Sequence, residues 1–176
     1  MLAKLIQSAA PLDAAVLEKA THAVLVLPFA RELDALREVP ALDRLRAVLR
    51  RRDLKAEELS KTPVTVNLSG GGLASFVMLD GSRSAFERQS VLRRAMAPLM
   101  EEQPRELVVA LFGSAEVRRD NAREALYVAW VNGARLPTRR KKPAPRPLAK
   151  IRLHGARDEA GFAEIAAVAR ANTLAR

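Results

Sequence analysis

The chain has no cysteine in its 176 residues. That excludes disulfides, thiolate metal sites and a cysteine nucleophile, and it fits a reducing compartment. Aromatic residues make up only 4% of the chain, which argues against a base-stacking surface. The two histidines, His22 and His154, stand far apart. A protein zinc site takes three or four N, S or O ligands, so both read as strand-edge or surface residues. No apolar run approaches the roughly 18 residues of a membrane-spanning helix. The first segment is broken by Gln7, Ser8, Asp13, Glu18 and Lys19, unlike the apolar heart of a secretory signal. These absences lead to an expectation of a cytoplasmic protein with no membrane contact.

What is present fits one globular domain. The chain is 49% hydrophobic and 28% charged, enough apolar material for a core at this length. Its net charge is +10, which ordinarily points to a polyanionic partner. The excess is local. Arg135, Arg139, Arg140, Lys141, Lys142, Arg146, Lys150 and Arg152 fall in one stretch without an acidic residue. Without these eight, 22 basic residues face 20 acidic ones. Pro143, Pro145 and Pro147 run through the same stretch and favour extended backbone over helix. It reads as a crossover between a helix ending near Gly133 and a strand beginning near Leu148. Arg139, Arg140, Lys141, Lys142 and Arg146 are its candidate nucleic-acid contacts. The plainer reading is a solvated loop.

Hydrophobic patterning alternates between two periods. "AVLVLPF" (23–29) and "ELVVALF" (106–112) are short continuous apolar runs, expected to be buried strands. "TPVTVNL" (62–68) and "LASFVML" (73–79) are two more, joined by "SGGG" (69–72). "LAKIRLHG" (148–155) is a further strand. Residues 41–53 form an amphipathic helix with Leu42, Leu45 and Leu49 on one face. Ser84 and Glu87 fit a capping box ahead of a helix burying Val91, Leu92, Ala95, Met96 and Leu99, with Pro98 expected to kink or end it. A third helix turns Ala122, Ala125, Leu126 and Ala129 inward and stops at Asn132–Gly133. The last helix has Asp158 as its expected N-cap and Phe162, Ile165, Ala166 and Ala169 inward. It reaches Arg176 without a stop signal, which suggests a chain cut from a longer one. Strands alternating with helices define an α/β fold, and the short SGGG connection makes its sheet mixed.

No constellation supports catalysis. A phosphate cradle needs its glycine loop to open into a helix, whereas SGGG opens into a strand and reads as a tight turn. Ser114 in "LFGSAE" lacks the G-x-S-x-G elbow and reads as a helix cap or a turn residue. Glu57/Glu58 and Glu101/Glu102 are adjacent pairs that project in different directions. Tyr127 and Trp130 sit in an alanine-rich helix and read as packing residues.

An ordered set of segments resembles the N-terminal domain of the leucine (cytosol) aminopeptidase family: "VLVLPF", "LDRLRAVLRRRDLKAEELSKTPV", "AREALYVAWVNGARLPTRRKK", "PLAKIRLHG" and "GFAEIAAVARANTLAR". The last is the most specific. The resemblance implies a macro-domain-like three-layer sandwich, a mixed sheet flanked by helices. Residues 1–155 would form it, and 156–176 would begin the helix leading to a catalytic domain absent from this chain. Family members are two-metal aminopeptidases, with two zinc or manganese ions in the catalytic domain and a homohexameric assembly. Their "NTDAEGRL" signature is absent, since Asn172–Thr173 is followed by Leu174. No catalytic, cofactor-binding or metal residue carries over. The implied role is a non-catalytic domain, with catalytic-domain and hexamer partners supplied by the full-length protein. The alternatives are a nucleic-acid-binding module, as in some bacterial members that bind DNA, and a macro-like nucleotide binder.

Overall fold

Along the central strands the side chains point alternately to two buried faces. Val24 and Val26, Val77, and Leu107, Val109 and Leu111 enter one core. Leu25 and Leu27, Phe76 and Met78, and Val108 and Ala110 enter another. Burial on both faces is why these strands read as unbroken apolar runs. The computed structural model describes residues 2–134 and 146–175.

Six strands form one sheet: β1 (Lys4–Ser8), β2 (His22–Pro28), β3 (Val64–Asn67), β4 (Leu73–Leu79), β5 (Glu106–Leu111) and β6 (Lys150–His154). Their order is β1-β6-β5-β2-β4-β3. Every neighbouring pair is parallel except β3 with β4, which is antiparallel. The expected mixed sheet is therefore present. On one face lie α3 (Ala85–Glu101), α4 (Ala115–Gly133) and α5 (Ala163–Leu174). On the other lie α1 (Ala14–Lys19), α2 (Leu42–Arg52) and two 3-10 turns, Leu33–Leu36 and Ala56–Ser60. This is the three-layer sandwich expected above.

Local chemistry explains the element ends. The Ser84 hydroxyl accepts from the Glu87 N–H at 3.3 Å, and the Glu87 carboxylate accepts from the Ser84 N–H at 3.0 Å. This reciprocal pair starts α3. Ser114 caps α4 in the expected way, accepting from the Val117 N–H at 3.3 Å. Helix α4 ends at Gly133, where an added Cβ would meet the Leu148 side chain at 2.7 Å. SGGG is the turn of the β3–β4 hairpin, and Gly71 takes φ +83. Gly70 and Gly72 press on backbone carbonyls of Glu18 and Ala20.

Three details differ from the sequence expectations. Strand β1 and helix α1 carry no clear period in the sequence. β1 is an edge strand with no fully buried residue, and α1 is six residues long with Leu17 its one buried residue. Near Pro98, as expected, α3 does end, at Glu101. The proline falls in the last turn, where only a single backbone bond is lost. Helix α4 begins at Ala115, several residues earlier than its apolar stripe implies. Asp158 does not cap α5. It closes the preceding turn by accepting from the Phe162 N–H at 2.9 Å, and Phe162 itself is the left-handed residue before the helix.

Candidate functional site

Open α/β sheets hold ligands outside the carboxyl ends of their strands, where the exits from neighbouring strands diverge to opposite faces. Here that point is the end of β2. Its exit runs to the α2 face, whereas β4 and β5 on either side exit to α3 and α4. A crevice of about 370 Å³ lies there, lined by Pro28, Phe29, Leu79, Gly81, Arg88, Val117, Asp120, Asn121 and Glu124.

Each wall has a local cause. Gly113 has φ +106, and an added Cβ would sit 3.2 Å from Pro28. Only glycine therefore lets the β5–α4 connection turn against the end of β2. Arg118 fastens this connection to the end of β6, donating to the Gly113 carbonyl at 2.7 Å and the Gly155 carbonyl at 2.6 Å. Between Leu79 and Gly81 of the opposite wall, Asp80 accepts from the hydroxyl and N–H of Ser82 at 2.7 and 2.9 Å. These bonds, with the Arg83 charge, hold its carboxyl below the usual range.

Arg88 of α3 spans to α4. Its Nε donates to Glu124 Oε1 at 2.8 Å, and its Nη atoms bond Glu124 and the Arg83 carbonyl. Arg88, Asp120 and Glu124 also line a neighbouring groove of about 500 Å³ between α3, α4 and α5. The ion pair is thus a partition between the two hollows. Two polar atoms by the crevice have no partner and are closed to solvent: Asn121 Nδ2 and Glu124 Oε2. Periodicity marks only the apolar stripe of α4, so Asn121 beside Ala122 gave no signal in the sequence.

The residues singled out in the sequence are scattered. SGGG lies at the entry to β4, the end of the sheet away from the crevice. There the Ser69 N–H donates to Glu18 at 2.8 Å, and Arg44 lies 2.7 Å from the same carboxylate. Burial raises the Glu18 pKa, but Arg44 and Ser69 together hold it below its usual value. The loop is a structural turn. His22 opens β2 with Nε2 2.7 Å from Glu102, and His154 closes β6. Trp130 is buried and donates to the Ala3 carbonyl at 2.9 Å, and Tyr127 accepts from Asn172 at 2.5 Å. Both pack as expected.

Arg139, Arg140, Lys141 and Lys142 lie outside the described residues. Arg146 is exposed, and its N–H donates to Gln103 at 3.0 Å. Lys150 and Arg152 both pair with Glu106, at 3.0 and 2.5 Å. Two of the eight charges in the basic stretch therefore share one carboxylate, which offsets one of them. Among the described residues no group of three or more His, Asp or Glu could hold a metal ion. No described helix is long and apolar enough to cross a membrane.

No family sequence model matches the chain, and no curated protein does. Solved structures do. A tomato leucine aminopeptidase mutant superposes with TM-score 0.63 at 18% identity, over 97% of this chain and 36% of its own. The cytosol aminopeptidase of Coxiella burnetii gives TM-score 0.53 at 13% identity, over 98% of this chain and 32% of its own. The bottromycin maturation enzyme BotP gives 0.53 at 20% identity, over 89% and 32%. At such identities the likeness establishes the fold. This chain spans about a third of the length of each of these proteins. Two of the three are aminopeptidases of the kind its segments resemble.

Proposed function

We propose that this chain is the non-catalytic N-terminal domain of a two-metal leucyl aminopeptidase, whose full-length form removes N-terminal residues from peptides. One observation carries the reading. Nearly the whole chain matches aminopeptidase structures, yet it accounts for about a third of them, and its described residues offer no metal-binding group. In this reading residues 156–176 lead on to the catalytic domain, which would hold the two zinc or manganese ions and build most of the hexamer. The test is metal stoichiometry. After dialysis against zinc or manganese, the purified chain should retain no stoichiometric ion. Retention of one or two equivalents would overturn the reading.

Nucleic-acid binding through residues 135–152 is the second reading, favoured by the acid-free charge run. Glu106 pairs with both Lys150 and Arg152 but offsets only one of the eight charges, so at most seven remain for phosphates. The corresponding salt slope is no steeper than about −6.3 on double-stranded DNA. Absence of binding at low salt would remove this reading.

A further inference from the structure

Asn121 is 8% exposed, and its Nδ2 has no hydrogen-bond partner. Leaving a buried donor unsatisfied costs about 1–3 kcal/mol, and such a group calls for an explanation. Its neighbour one turn on, Glu124, uses Oε1 for Arg88 and leaves Oε2 unpartnered. Residues three apart share a helix face, and both line the crevice at the carboxyl ends of β2, β4 and β5. One free donor and one free acceptor thus belong to residues that line the crevice together with the apolar Pro28, Phe29, Leu79 and Val117.

We propose that this crevice binds a small uncharged molecule carrying a primary carboxamide or lactam edge, its carbonyl accepting from Asn121 and its N–H donating to Glu124. The charge balance excludes an anion. Asp120 and Glu124 line the crevice, and the charge of Arg88 is engaged by Glu124. A phosphorylated nucleotide would meet carboxylates there, and SGGG is at the other end of the sheet. An ordinary peptide bond does not match either. It is trans, with its C=O and N–H pointing in opposite directions, whereas a primary amide or a lactam ring presents both on one edge. Phe29, 43% exposed at the mouth, offers a face for a planar ligand. Both free atoms are closed to solvent, so binding requires Asn121 Nδ2 and Glu124 Oε2 to open to the crevice, the Arg88–Glu124 pair being kept through Oε1. The site is independent of the domain reading above.

The experiment is an NMR titration of the whole chain with benzamide, following the side-chain amide resonances of Asn121. Benzoate, N-methylbenzamide and ADP-ribose serve as controls. Benzamide should move the Asn121 resonances and the controls should not. The variant Asn121→Leu should bind benzamide at least about tenfold more weakly while remaining folded, since losing a hydrogen-bonded pair is of that order. Because the titration reads the unaltered protein, it stands even if the variant fails to fold. Unmoved Asn121 resonances with benzamide would overturn the proposal and leave a buried water as the partner of Asn121. An equal response to any control would overturn it too.

Discussion

A methyl group added at Gly72 would lie 2.1 Å from the Ala20 carbonyl oxygen. Backbone on both sides leaves little room to yield, so Gly72→Ala should cost at least about 1–3 kcal/mol, read as a lower midpoint in urea unfolding. Gly71 differs: open space surrounds it, and its φ of +83 is its only constraint. Protonation gives a second residue-scale expectation. Burial, with the nearby Arg152 charge, holds the His154 pKa below its usual 6.5, although Asp13 acts the other way. The unfolded chain therefore takes up this proton first. Stability present above pH 6.5 should decline as pH falls toward the depressed folded value. His154→Gln should flatten that part of a melting-temperature profile, and an unchanged profile would contradict the assignment. Glu106 acts lower on the scale. Burial raises its pKa, but Lys150 and Arg152 bring it below 4.5, so its contribution is lost only as pH falls below 4.5.

At the scale of elements, the capping box of α3 is the most local feature and the easiest to test. Ser84→Ala removes the acceptor for the Glu87 N–H and should cost about 1 kcal/mol, measured by chemical denaturation. Features of this kind were legible because their partners are three residues apart. So were β2, β4 and β5, whose apolar runs reflect burial on both faces. Strand β1 was not, because it sits at the sheet edge and is held by distant residues. Its Gln7 exchanges hydrogen bonds with Asp158 at 2.9 and 3.2 Å. The misread role of Asp158 has a related origin. A carboxylate ahead of an apolar stripe looks like a cap, but here the left-handed turn at Phe162 intervenes.

At the scale of the whole molecule, the fold class followed from alternating periods, whereas the crevice did not. Its position depends on which face each strand exits toward, and its chemistry on Asn121, Glu124 and Arg88, contributed by two helices packed side by side. The basic stretch shows the reverse. It dominates the sequence, yet Lys150 and Arg152 at its end are tied into the sheet by Glu106. On the proposed function, this α/β unit is a folded domain without peptidase chemistry of its own. The most direct measurement is hydrolysis of leucine p-nitroanilide by the purified chain, with its folding checked by cooperative thermal unfolding and manganese or zinc supplied. The account predicts a cooperative transition and no turnover above buffer. Turnover that scales with protein and disappears with a chelator would contradict it.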